Sequence, residues 1–202
     1  MFAFHVLNNS FRFLPVFICW VFGLVVASVY YSRTGITRAV SEFIVGWLSG
    51  RGFRVDVFEL RALREYARPL HLNPRLIFDT VFRGFAEYGG DEGFKPDAYD
   101  LVFIGTPIWS GRPTPVIKHF INKHKGKLRA PVVCYTTSAL NIKYSEKLRK
   151  YLEERGYSVV MDFSVVGSLE KSGGSRESFR GGCKDGAFLS IVWQSRVKQW
   201  VL

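Results

Sequence analysis

From Leu24 onward, apolar runs of strand length alternate with stretches of helical period, the pattern of a parallel sheet covered on both faces. Leu24 to Tyr31 forms the first predicted strand, rich in β-branched and aromatic residues. It leads through Ser32 to Thr37 into a helix whose apolar positions Ile36, Val40, Phe43, Ile44, Trp47 and Leu48 share one side, with Arg38, Ser41 and Glu42 elsewhere. Gly50 and Gly52 end that helix, and Arg54 to Leu60 gives a second strand. Ile77, Val81, Phe82 and Phe85 predict a helix after Pro74, broken by Gly89, Gly90 and Gly93. Tyr99 to Ile104 is a third strand closed by Gly105, Thr106 and Pro107. Pro113 and Pro115 then open a short helix carrying Ile117, Phe120 and Ile121 inward. Ala130 to Tyr135 and Tyr157 to Val166 are the fourth and fifth strands, separated by a helix with Tyr144, Leu148, Tyr151 and Leu152 on its inner side. A final helix, about Gly186 to Trp200, offers Phe188, Ile191, Val192 and Ser195 to the sheet after a Gly- and Ser-rich loop from Gly167 to Gly186. Right-handed crossovers leave few arrangements for five such units. The commonest is a three-layer α/β sandwich with strand order 2-1-3-4-5 and a ligand crevice beside strands one and three.

The amino terminus changes this picture in one respect. No charge stands between Arg12 and Arg33, a gap of roughly twenty residues, long enough for a membrane span. Assigning Val25 to Tyr31 to a buried strand leaves too little to cross a bilayer. Residues 1–22 are therefore expected to be an apolar extension: a docking segment, a membrane anchor, or a start placed too far upstream. Residues 23–202 then form one domain, as suits a chain of 202 residues.

Composition adds charge to the pattern. A hydrophobic share of 48% and a charged share of 22% belong to a packed protein. Lys and Arg outnumber Asp and Glu by 28 to 17, and the net charge of +11 attracts acidic proteins, anionic lipid or nucleic acid. The basic residues are spread over several helices and the Arg61 to Arg75 connection, which argues against a nucleic-acid recognition helix. Cys19, Cys134 and Cys183 have neither disulfide nor zinc spacing, so a cytoplasmic setting is expected, with membrane-surface association through the apolar segment. The histidines do not suggest a metal site: His5 and His71 stand alone, and His119 and His124 fall off the same-face spacing of a helix.

The turn Ser32, Arg33, Thr34, Gly35, Ile36 and Thr37 holds the chemistry that the pattern points to. Between a strand end and a helix start, unpaired backbone N–H groups and the positive helix end favour a phosphate. Ser32, Thr34 and Thr37 add hydroxyl donors, and Gly35 permits close approach. The Gly-Lys-Ser/Thr ending of a nucleotide triphosphate loop is missing, as is the three-glycine dinucleotide pattern. A capped helix start with no ligand is the competing reading.

Tyr-Tyr-Ser-Arg-Thr-Gly-Ile-Thr, Tyr30 to Thr37, resembles the phosphate loop of the flavodoxin family. Gly-Thr-Pro-Ile-Trp-Ser-Gly, Gly105 to Gly111, is similar to that family's loop after the third strand. The resemblance spans roughly residues 24 to 200 in order of elements, and it implies a flavodoxin-like α/β fold with FMN as cofactor. By position, Ser32, Arg33, Thr34, Gly35, Ile36 and Thr37 would hold the FMN phosphate. Thr106, Pro107, Ile108, Trp109, Ser110 and Gly111 would border the isoalloxazine. Thr136, Thr137, Ser138 and Ala139 correspond to a third flavin-contacting loop by location and composition alone.

The resemblance implies electron transfer through FMN, with an NAD(P)H:quinone reductase or a flavodoxin-type protoporphyrinogen oxidase as the enzymatic alternative and a cofactor-free binding module as a third. Typical flavodoxins are acidic, so the net charge of +11 is a departure; it implies an acidic redox partner, or a quinone at an anionic membrane.

Overall fold

The computed structural model describes residues 23–64, 74, 78–79, 84–140 and 142–166. The segment 1–22, the helix expected at Ile77, Val81 and Phe82, the loop from Gly167 and the final helix at Gly186 to Trp200 lie outside the described residues.

Among the described residues, five long strands form the central sheet: β1 (Val25–Tyr31), β2 (Arg54–Ala62), β4 (Leu101–Trp109), β6 (Val132–Ser138) and β7 (Val159–Val166). All neighbouring pairs among them are parallel. Their order is β2-β1-β4-β6-β7, the expected 2-1-3-4-5. Two short antiparallel pieces enlarge the sheet beyond the five strands expected: β3 (Tyr88–Gly89) on the β2 edge and β5 (Arg112–Pro113) against the end of β4. Both are too short to leave a periodic trace in the sequence.

Among the described residues, three α-helices cover the two faces. α1 (Ile36–Ser49) packs Val40, Ile44 and Leu48 with Phe53 against Val26, Phe103, Val133 and Tyr135. α2 (Pro115–Lys123) and α3 (Ser145–Glu153) bring Ile117, Phe120, Ile121, Leu148 and Leu152 to the opposite face, over Ala27, Val29, Ile104, Val132 and Cys134. Successive residues of the central strands β1, β4 and β6 thus feed different layers, which is why those strands read as largely apolar runs. Each fully buried Leu or Ile contributes about 1.5–3 kcal/mol of transfer free energy. Among the described residues, no helix is long and apolar enough to cross a membrane.

Some side chains depart from the helical reading. Phe43, expected inward, is 50% exposed, whereas Ser41, expected outward, is fully buried. The reason is a polar partner on the sheet: the Ser28 and Ser41 hydroxyls lie 2.8 Å apart, so a serine rather than an aromatic ring meets β1 at that level. Phe85 lies outside any helix, with its ring edge-on to His119 at a centroid distance of 5.6 Å.

Candidate functional site

The ends of β1, β4 and β6 converge because these strands are neighbours in register, with Tyr30 opposite Gly105 and Gly105 opposite Tyr135. Each strand therefore delivers its following segment to one edge of the sheet, the place where ligand crevices form in open α/β folds.

After β1 the chain turns through Gly35, whose φ of 94° lies in the left-handed region that an L side chain rarely adopts. The Gly35 N–H donates to Ser32 Oγ at 3.2 Å, closing the turn under the helix start. Gly35 is the N-cap of α1, and no side chain caps that end. The leading N–H groups are left facing the turn with the positive end of a 14-residue helix behind them, an arrangement suited to an anion. Thr34 is exposed, and Ser32 is half-buried. Thr37 is not open in this way. Its side chain is buried, and its hydroxyl lies 2.8 Å from the Thr137 hydroxyl. Arg38, at the outer side of the same helical turn, forms an ion pair with Glu59 on β2, and the hydrogen bond to Glu59 strengthens its hold on the proton. That pair neutralises the carboxylate that would otherwise stand beside the turn. Tyr30, below it, has its phenol pKa raised, first by burial and then by Glu59.

The second segment is a strand where a loop was expected. β4 runs through Thr106, Pro107 and Ile108 to Trp109, continuing past Ile104 because Pro107 is accommodated at a position opposite Thr137. Ser110 and Gly111, with φ of 48° and 72°, then make a two-residue hairpin turn into β5, pairing Trp109 with Arg112. Two positive φ values in succession match the twist of a tight hairpin. Thr106 is fully buried and its hydroxyl is used internally, 2.9 Å from Thr114 Oγ1 and accepting from the Thr114 N–H at 3.2 Å. Pro107, Ile108 and Trp109 are half-buried at the rim. The Trp109 ring meets Tyr31 edge-to-face at 5.6 Å, so the end of β1 and the hairpin touch. Lys147 of α3 donates from Nζ to the Gly111 carbonyl at 3.1 Å and braces the turn from outside.

The third segment is also mostly strand: β6 extends three residues past Tyr135 to include Thr136, Thr137 and Ser138. Thr136 turns away, its hydroxyl 3.1 Å from Ser164 of β7. Thr137 faces Thr37, and Ser138 donates to the Leu140 carbonyl at 2.7 Å, leaving Ala139 exposed beside it. The three segments therefore form one rim. Thr106 and Thr136 sit beneath it, with their hydroxyls engaged in the framework.

A polar cluster that the sequence reading passed over lies at the side of α2. The Asp91 carboxylate receives Lys123 Nζ at 2.7 Å and the Tyr88 hydroxyl at 2.9 Å, and stands 3.3 Å from His124 Nε2. His124 is buried among Phe94 and Phe120, and its Nδ1 is sealed with no hydrogen-bond partner among the described residues. Burial lowers the imidazole pKa despite the carboxylate. No spacing rule in the sequence connects residues 33 positions apart. Cys134 is a sealed core thiol whose pKa burial pushes up to about 12.

No protein-family model matches the chain, and no curated protein matches it. Solved structures do. The chain is similar to a flavoprotein from Lactobacillus acidophilus determined in complex with FMN, with 24% identity and a TM-score of 0.59, covering 70% of this chain and 93% of that one. A flavoprotein from Bacteroides eggerthii gives 20% identity and a TM-score of 0.57 over 70% and 88% of the two chains. One from Bacteroides uniformis gives 18% and 0.54 over 72% and 92%. Likeness at these identities speaks for architecture, and together with the 2-1-3-4-5 order of the long parallel strands it establishes that the chain has a flavodoxin-like fold.

Proposed function

We propose that the chain binds FMN along the rim formed by β1, β4 and β6 and serves as an electron-transfer flavoprotein. One observation carries the reading: an uncapped helix start above Ser32 and Gly35 lies next to a tryptophan-bearing hairpin, with Trp109 in ring contact with Tyr31. The residues fit the two ends of such a molecule. Ser32, Arg33, Thr34, Gly35 and Ile36 would receive the phosphate through backbone N–H groups and hydroxyls. Ile108 and Trp109 would offer apolar surface to the ring, and the backbone of Ser110 and Gly111 polar groups to its edge. Thr37 and Thr137 would act by joining the two sides of the rim rather than as ligands. FMN, when bound, supplies the redox chemistry; the protein contributes position, water exclusion and local charge. Lys147 and Arg112 lie next to the turn, and Glu59 is neutralised by Arg38, so the local field is positive. Such a field favours a negatively charged reduced ring and a potential less negative than an acidic surface would give.

A reductase reading has one observation in its favour. Leu140 and Ile142, 58% and 48% exposed, follow Ala139 and make an apolar border suited to a hydrophobic acceptor such as a quinone. Titrating the purified full chain with FMN while recording the flavin absorption and fluorescence tests the principal reading. The expected result is saturable quenching, and a colourless protein that leaves FMN fluorescence unchanged would refute it. Adding NADPH afterwards separates the functions, since a carrier leaves it unoxidised and a reductase consumes it.

A further inference from the structure

The boundary between α2 and α3 is lined with basic side chains. Lys118 of α2 is only 8% exposed, and its Nζ is 5.7 Å from the centroid of the Tyr151 ring on α3. Arg155 stacks on the same ring at 3.4 Å, donating from Nε to Asn122 Oδ1 at 2.8 Å and from NH1 to the Tyr151 carbonyl at 2.9 Å. Asn122 Nδ2 in turn donates to the Tyr151 hydroxyl at 3.2 Å, so both helices hold this geometry. At the upper end stand Lys147, on the Gly111 carbonyl, and Arg112, the residue after that turn. Among the described residues, Lys118, Arg112 and Lys147 form no ion pair. The one carboxylate paired within this group is Glu154, 3.7 Å from Arg155 and 55% exposed. Burial, and then the Arg112 and Arg155 guanidinium groups, depress the Lys118 pKa. A buried ammonium without a carboxylate lowers stability, so its presence calls for an anion from outside.

We propose that this seam is the docking surface for an acidic face of a protein partner, seated beside the Ser110–Gly111 turn. From Lys147 on α3 to Arg155, just past its end, the cations are spread over about 12 Å at the helical rise, too long for one phosphate and matched by a row of carboxylates. The partner's redox role rests on the FMN reading above; recognition of an acidic surface does not.

The probe is a fluorescein-labelled oligo-glutamate peptide, followed by anisotropy at low salt with the full chain. The triple variant Arg112→Gln, Lys118→Gln, Arg155→Gln is compared with Lys125→Gln, Lys127→Gln, Arg129→Gln, which removes the same charge from exposed positions elsewhere. The expected result is a loss of about tenfold or more for the first and less than about threefold for the second. Equal losses would show that net charge alone drives binding and would overturn the proposal. So would a single-stranded oligonucleotide of equal charge that binds more tightly than the peptide, with its binding lost in the first variant. Thermal melts accompany each variant, and Lys118→Met alone replaces the triple if the latter fails to fold. FMN uptake by the same samples is recorded separately: its absence removes the cofactor reading and leaves the peptide result standing.

Discussion

The Thr37 and Thr137 hydroxyls lie 2.8 Å apart, joining the first turn of α1 to the end of β6 across 100 positions of sequence. Both side chains are buried, so removing one strands the other. Thr137→Val is expected to cost about 1–3 kcal/mol in urea unfolding and to weaken FMN uptake by loosening the rim. Thr37→Val with Thr137→Val should restore much of the stability, because a matched apolar pair leaves no orphan. A double variant no more stable than the worse single one would show that the hydroxyls act independently.

Trp109 is expected to act on the cofactor more than on the fold. It is half-buried at the rim and packs edge-on to Tyr31. Trp109→Ala should weaken FMN binding on the order of tenfold, about 1.4 kcal/mol, and Trp109→Phe much less. Fluorescence titration decides the matter, and equal affinities in all three proteins would remove the tryptophan from the site.

Gly105 has no room for a side chain. A β-carbon there would lie 2.6 Å from Cε2 of Tyr135 and closer still to Cζ and the hydroxyl. The Tyr135 ring is itself stacked on Phe163 at 5.4 Å and cannot swing aside freely. Gly105→Ala is expected to destabilise by about 1–3 kcal/mol through overpacking, and Tyr135→Leu in the same chain should recover part of the loss. Chemical denaturation of the two variants provides the check.

His124 makes stability depend on pH. Its folded pKa lies below the ordinary value near 6.5, so in mild acid the unfolded chain binds the proton more readily. Stability should fall as pH drops through about 6.5 and level off once the folded imidazole is also protonated, with a slope of at most about 1.4 kcal/mol per pH unit. The groups acting on it are Asp91, which favours the cation, and Lys123 and Lys127, which oppose it. Asp91 contributes a second limb. Burial raises its pKa, but hydrogen bonds from Lys123, Tyr88 and His124 outweigh that, so its contribution disappears only below the usual carboxylate range. Urea midpoints between pH 5 and 8 for the parent and His124→Gln test this, the variant being expected to show the flatter profile.

Lys118→Met should raise the melting temperature, by about 2–5 °C, since a thioether of similar length fills the same space without a buried charge. A fall in melting temperature would mean that the ammonium stabilises the free protein.

Much of this architecture was legible because the central strands β1, β4 and β6 are buried on both faces. The β-branched and aromatic residues of Val25 to Tyr31, running into a glycine-containing turn, favour a buried strand, and the structure has one there. That the segments after β1 and β4 meet at one edge follows from the strand order. What escaped were features set by tertiary partners. Ser41 looks like a surface residue until Ser28 is found opposite it, and Pro107 looks like a strand breaker until its place beside Thr137 is known. Thr106 was grouped with the rim by its motif and Thr136 by location and composition, yet their hydroxyls bond inward to Thr114 and Ser164. Lys118 was counted among scattered surface cations, because nothing in a one-dimensional pattern distinguishes an exposed lysine from one pressed between two helices.

The hydroxyl pair of Thr106 and Thr114 has a mechanical consequence. Thr114 anchors the hairpin that carries Trp109 and is also the cap residue from which the helix bearing Lys118 begins. The slot proposed for a flat ring and the surface proposed for an acidic visitor would thus be bolted to a single mount. An electron crossing between them would meet a fixed gap, with little scaffold to rearrange on each passage.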